Sequence, residues 1–148
     1  MKFLMSQHDV MTILTKGDPV VQEKKIAAIN QWLKSECDMD YRGVFGETEI
    51  VETTKTAEKF LEMAQSAKQG LLPVAISGAK NPVTVYAVGN DYDKDIAPAL
   101  SVGFRGVWIP VETWETMGQT EKIKERMDKE HCRVFNSLTE IVERYAEL

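Results

Sequence analysis

The sequence predicts an α/β fold, a three-layer α/β/α sandwich built around a mostly parallel sheet. Three observations lead there. Short apolar runs rich in β-branched residues alternate with helical stretches along the chain. Three of these runs give way to residues suited to chemistry: Thr15, Lys55 and an acidic segment over 90–95. Finally, 148 residues, 43% of them hydrophobic, can bury one domain's core without covalent staples. Ligands of parallel sheets gather outside the carboxyl ends of the strands, which is where the three polar signals fall.

Taken in order, residues 1–7 lack an N-cap and suggest the last turns of a helix. Val10, Ile13 and Leu14 belong to a buried strand over 10–15, broken by Gly17, Asp18 and Pro19. Asp18 suits an N-cap and Pro19 a first helical position, opening a helix over 20–33 with Val21, Ile26, Ile29 and Leu33 near helical spacing. A second strand covers 44–51, with Phe45 and Ile50. Ala57, Phe60, Leu61 and Ala64 share one face of a helix over 56–68, which Gly70 ends. Residues 71–77 are apolar enough for a strand, but Pro73 confines them to an edge or a loop. Gly78 to Pro82 is turn chemistry. The clearest strand runs over 83–88 and stops at Gly89. A short helix over 95–102 is halted by Gly103, and a strand follows over 106–111. Helices over 121–130 and 137–148 flank a short edge strand around 131–135. No repeat, low-complexity tract or linker interrupts the pattern, so residues 1–148 read as one domain.

Charge and composition exclude several classes. A net charge of −5, with Lys and Arg dispersed among acids as in Lys122, Lys124, Glu125 and Arg126, is no footprint for nucleic acid. No apolar run approaches the roughly 20 residues that span a bilayer. Met1 to Met5 is too short for a signal peptide. Cys37 and Cys132 lack metal spacing, and a reduced pair in the cytoplasm is the expected state, with a disulfide left open. His8 and His131 lie away from any Cys or Asp at ligand spacing and read as structural or exposed. Trp108 and Trp114 read as core and interface packing.

The segment Val88-Gly89-Asn90-Asp91-Tyr92-Asp93-Lys94-Asp95-Ile96, followed by Ala99, Leu100, Gly103 and Val107-Trp108-Ile109-Pro110, resembles the haloacid dehalogenase-like (HAD) hydrolase superfamily. In that family an acidic loop after a strand holds magnesium, and a short helix leads through a Gly to the next strand. Ile13-Leu14-Thr15-Lys16-Gly17-Asp18 looks like the family's phosphate-binding second motif, and Lys55 like its third. The resemblance spans roughly 9–148. It implies a Rossmann-like HAD core, with phosphatase-type chemistry through an aspartyl-phosphate. It further implies Thr15 and Lys55 in catalysis, Thr15, Lys16 and Lys55 on phosphate, and magnesium weakly held by Asn90, Asp91 and Asp95. The implied ligand is a phosphorylated small molecule. Read by residue type alone, Thr15 equally suits a turn cap, Lys55 a solvated surface, and Asp91, Asp93 and Asp95 a helix N-terminus. A two-component receiver domain uses similar residues, but there the acids come first and the Lys last.

The departures set the functional expectation. The family's nucleophile motif, Asp-x-Asp ending the central strand, belongs well upstream of Thr15, where too few residues precede the first strand. Asp38-Met39-Asp40 matches in letters only, since the polar run Lys34-Ser35-Glu36-Cys37 precedes it. Asn90 stands where many members carry Asp, removing one charge from a magnesium site. The expected protein is therefore an HAD-like core truncated at its N-terminus, keeping a phosphate and magnesium half-site and inactive alone. The alternatives are the C-terminal half of a split phosphatase completed by a partner chain, and a non-catalytic binding protein on the same fold. The gap left by the central strand would be closed in one of three ways: by pairing of the strands that carry Thr15 and Asn90, by the segment 72–77, or by a strand from another chain. The last makes a homodimer or a hetero-complex the expected assembly.

Overall fold

A computed structural model of the chain describes residues 11–75, 84–112 and 118–144. The chain divides into two compact units, Met1–Lys80 and Asn81–Leu148. Helices and strands alternate, and every strand pairing among the described residues is parallel, as the sequence pattern predicts. The strands of the described residues fall into two sheets, one of two strands and one of three.

The first unit contains β1 (Met11–Lys16), α1 (Pro19–Cys37), α2 (Tyr41–Val44), β2 (Phe45–Val51) and α3 (Ala57–Ala75). β1 and β2 are parallel neighbours, with Thr15 beside Ile50 and Lys16 beside Val51. Asp18 caps α1 as its type and position predict, its carboxylate accepting from the Val21 N–H at 3.1 Å. α1 runs a turn past the expected end because Lys34, Ser35 and Glu36 offer no breaker. Asp38, in the left-handed region at φ 53°, stops it, and its N–H bonds the Leu33 carbonyl. Leu33 is fully buried with Tyr41 and Val44, and Met11, Ile13, Ile26 and Phe45 pack around them. Of the four apolar positions that predicted the helix, Ile26 and Leu33 face this core, whereas Val21 and Ile29 look outward with Val20 and Trp32.

Two expectations for this unit are corrected. α2 was not legible as a helix; Asp40 caps it by accepting from the Arg42 N–H at 2.9 Å. α3 continues through Gly70 and Pro73 to Ala75, so residues 71–75 are helical and supply neither a strand nor a loop. The apolar spacing of Ala57, Phe60, Leu61 and Ala64 carries on at Leu71, Leu72 and Ala75. A mid-helix Gly costs only about 1 kcal/mol, and Pro73, which would cost about 3 kcal/mol in a helix interior, falls in the last turn.

The second unit contains β3 (Tyr86–Gly89), a π-helical turn (Tyr92–Ile96), α4 (Ala97–Leu100), β4 (Arg105–Trp108), α5 (Gln119–Arg126), β5 (Cys132–Val134) and α6 (Leu138–Glu143). The sheet order is β3-β4-β5, with Val88 beside Val107 and Gly106 beside Cys132. β5 is the edge strand expected around 131–135. β4 begins one residue earlier than predicted and ends at Trp108, and α5 stops at Arg126. Gly103, at φ +83°, turns the chain after α4 as only glycine does readily, and the Phe104 N–H returns to the Ala99 carbonyl. One side of the sheet buries Trp108 and Cys132 against Tyr92, Ile96 and Met127. A second cluster joins Val107 to Phe135 and Ile141.

Residues 72–75 are helical and offer no strand to fill the gap expected at the sheet's centre. The expected elements at 1–7, 78–82 and 145–148, the start of the strand at 83, His8 and Trp114 lie outside the described residues. No helix among the described residues is long and apolar enough to cross a membrane.

Candidate functional site

The acidic segment begins where β3 ends. Gly89 closes the strand, and a Cβ there would lie 2.7 Å from Asp95 Oδ2 and 2.8 Å from Asp95 Cγ. The absence of a side chain at 89 is thus what lets Asp95 fold back under the strand end. Asp95 is 9% exposed, and its carboxylate accepts from the Asp91 N–H at 3.1 Å. The reciprocal backbone bond, Asp95 N–H to Asp91 carbonyl, is 2.8 Å.

Between these two residues the chain makes a π-helical turn, with the Ala97 N–H reaching the Tyr92 carbonyl five residues back. Such turns are rare and occur often at functional sites. Asp91 caps the turn, accepting from the Lys94 N–H at 3.1 Å, and its other oxygen meets the Lys94 ammonium at 2.6 Å. Partial burial pushes the Asp91 carboxyl up, but the Lys94 ammonium and N–H outweigh it and hold the group below its ordinary value.

Three groups outside the loop fix its path. The Trp108 indole Nε1–H donates to the Asn90 carbonyl at 3.0 Å, and the Trp108 ring meets Tyr92 edge-on with centroids 5.5 Å apart. Arg126, at the end of α5, places Nη2 at 2.7 and 2.6 Å from the two oxygens of Asp93 and lies 5.6 Å from the Tyr92 centroid. The Asp128 N–H donates to the Tyr92 hydroxyl at 3.2 Å. Asp93 is therefore tied to α5, while Asp91 is tied to both Asp95 and Lys94.

As a donor set, Asp91 and Asp95 offer hard oxygens of the kind magnesium takes, though fewer than a full shell. No group of three or more His, Cys, Asp or Glu among the described residues is arranged to hold a metal ion. The bond from Trp108 goes to the Asn90 main-chain carbonyl and not to the side-chain amide oxygen expected as a ligand.

In the first unit, Thr15 and Lys16 end β1, and Lys55 lies four residues beyond the end of the adjacent parallel strand β2. All three therefore sit at the same end of the two-stranded sheet. The Thr15 hydroxyl donates to Gln22 Oε1 at 3.3 Å, and Gln22 Nε2 donates back to the Lys16 carbonyl at 3.2 Å. Thr15 thus bonds the first turn of α1 and does not cap the turn after β1; there Gly17 N–H bonds the Val51 carbonyl at 3.0 Å. Lys16 is exposed, and Lys55 is half-buried just before Thr56, whose hydroxyl accepts from the Lys59 N–H at 3.4 Å at the start of α3.

Asp38 and Asp40 are helix caps, Asp38 ending α1 and Asp40 opening α2. The Arg42 N–H, with help from Lys34 at 3.4 Å, holds the Asp40 carboxyl below its ordinary value. Neither residue follows a strand, in line with the polar run that precedes them. Cys37 and Cys132 are free thiols. His131 is exposed, as expected, but is not isolated from acids: its Nδ1 lies 2.9 Å from Asp128 Oδ2.

Gln22 and Trp108 are among the partners that escaped the sequence reading. Gln22 lies seven residues from Thr15 on a helix and carries no local signal. Trp108 was legible as core, but nothing in its pattern announced that its indole N–H would hold the Asn90 carbonyl. Lys94, by contrast, lies three residues from Asp91, a spacing that pairs them on any helical turn. Comparison of the chain with models of protein families and with curated proteins gives no match.

Proposed function

We propose that the chain is a Rossmann-like α/β core of the haloacid dehalogenase type that keeps the phosphate- and magnesium-facing residues of a phosphatase, and that these 148 residues alone do not turn over a phosphate ester. The observation that carries this reading is the acidic π-turn after β3, with the buried Asp95 braced against Gly89 and Asp91 at the loop's head. Thr15, Lys16 and Lys55, following two adjacent parallel strands, support it from the first unit. The Thr15 hydroxyl can donate to a phosphate oxygen, and Lys16 and Lys55 can offset its charge. Magnesium would be held by Asp91 and Asp95 in the second unit; with two carboxylates its affinity is weak, on the order of millimolar. Covalent transfer needs a carboxylate aimed into the site from a strand end, and Asp38 and Asp40 are committed as helix caps.

A magnesium titration followed by amide shifts tests the loop, and an assay with a small aryl phosphate tests turnover. The expected result is saturable shifts confined to residues 89–96 with no hydrolysis above buffer. Hydrolysis abolished by Lys55→Ala, or magnesium shifts that avoid residues 90–95, would overturn the reading.

A second reading is a non-catalytic binding protein on the same fold. The Lys94 ammonium, 2.6 Å from Asp91 and already neutralising it, favours this version. Shifts at 90–95 that appear only when Lys94 is replaced by Ala would select it.

The same proposal extends to assembly. Among the described residues β1 and β3 each have a strand neighbour on one side only. Sheet edges of this kind favour strand addition from another chain. Light scattering is expected to give a mass above that of the monomer, rising with concentration. A monomeric mass throughout, with one cooperative unfolding transition, would show that the edges are satisfied within the chain.

A further inference from the structure

α1 carries apolar side chains on two sides. Ile26 and Leu33 turn inward, onto Tyr41 and Val44. On another side Val21, Ile29 and Trp32 are 48%, 40% and 53% exposed, and Ala28 between them is exposed as well. At about 100° per residue, Val21, Lys25, Ala28, Ile29, Trp32 and Glu36 fall within an arc of about 100°. Single exposed apolar residues are ordinary on a protein surface, whereas a contiguous stripe along a helix marks an interaction surface.

The order of residues along the stripe says what it meets. Lys25, Ile29, Trp32 and Glu36 follow one another at spacings of four, three and four, the seam of two helices packed side by side. The seam therefore reads as a cation, two apolar residues and an anion. Laid antiparallel on a second copy of itself, with a two-fold axis between residues 30 and 31, it is self-complementary. Lys25 then lies level with Glu36 of the other copy, and Ile29 with Trp32; the symmetry makes each pairing twice. Laid parallel and in register, the same seam would set Lys25 against Lys25 and Glu36 against Glu36. Both charged residues are exposed, and ion pairs among the described residues involve neither of them. The Asp18 cap and the left-handed Asp38 fix both ends of the helix that presents the seam.

We propose that this outward stripe of α1 is the contact between two copies of the chain: an antiparallel helix pair with Ile29 and Trp32 at its centre and a Lys25–Glu36 ion pair at each end. A large aromatic residue at the middle of a contact carries much of its strength, and ion pairs at the rim fix direction and register more than affinity. The inference rests neither on the phosphoryl-transfer reading nor on strand addition at β1 or β3, since the stripe contains no residue used by either.

Carbodiimide coupling, which joins an amine to a carboxylate with no spacer, tests the register. Within one helix Lys25 and Glu36 stand about 16.5 Å apart, out of reach of such a bond, so a Lys25–Glu36 link forms only between copies. Mass spectrometry should find that link in a species of twice the monomer mass. In light scattering, Lys25→Glu and Glu36→Lys should each weaken the dimer severalfold, because each sets like charges face to face at both ends. The two changes together should restore it. Trp32→Ala should weaken the dimer about tenfold or more while the far-ultraviolet circular dichroism of the chain stays unchanged. A dimer indifferent to all four variants would lie elsewhere, as on a sheet edge, and would overturn the proposal. So would a monomeric mass at every concentration, including a chain that stays monomeric while the stripe takes up anionic lipid vesicles.

Discussion

Trp108→Ala is expected to lower the free energy of unfolding by about 3–5 kcal/mol, the usual cost of emptying a large buried aromatic site. Trp108 is 2% exposed and sits where Tyr92, Ile96, Met127 and Cys132 converge. Its truncation opens a cavity at the centre of that cluster and removes the edge-on partner of Tyr92. It also frees the Asn90 carbonyl, so the amides of residues 89–95 should shift or broaden. Trp108→Phe separates the two contributions, since it keeps most of the ring volume and loses the indole N–H. That variant should cost less than the alanine and still disturb Asn90. Urea unfolding gives the energies and amide spectra give the loop; a loop unchanged in both variants would show that the indole does not set its path.

Gly89→Ala is expected to be the most damaging single-methyl change in the second unit. The added carbon would lie 2.7 Å from Asp95 Oδ2 and 2.8 Å from Asp95 Cγ, too close for any rotamer adjustment to absorb fully. Overpacking of this kind costs about 1–3 kcal/mol, and it pushes Asp95 off the Asp91 N–H. The mechanism is testable by a double-mutant cycle with Asp95→Gly, which removes the side chain that the methyl meets. In that background Gly89→Ala should cost a few tenths of a kcal/mol at most, because nothing remains to be displaced. An unchanged cost would place the strain in the backbone of β3 instead.

The parallel strands and their order along the chain were legible because runs rich in β-branched residues, such as Val10 to Thr15 and Val83 to Val88, leave little alternative, and Asp18 with Pro19 marks a helix start chemically. Boundaries were less legible where no residue forces the chain to stop. α1 runs to Cys37 through polar residues that tolerate helix, and α3 passes Gly70 and Pro73 because its apolar stripe resumes beyond them. Of the candidate site, the positions of Thr15, Lys16 and Lys55 after neighbouring strands could be read from spacing alone. What spacing did not supply were the bonds made at a distance: Thr15 to Gln22, Asn90 to Trp108, and Asp93 to Arg126 thirty-three residues away. Those depend on how separate elements pack, which no local pattern encodes.

The five-residue turn over Tyr92–Ile96 makes the length of the loop matter as much as its chemistry. Each residue of a regular helix advances the chain by about 100°, so a π-turn is an ordinary turn with one residue too many. Deleting a single residue between Asp91 and Asp95 would let the turn relax into α-helical phase and swing the later carboxylate by about that angle, away from Gly89 and the Asp91 N–H. All the other acids could remain and the Asp91 N–H would still have lost its carboxylate. The heading of the buried carboxylate is thus written as a count of residues, and a length change in this segment would act as a mutation of Asp95 without altering it.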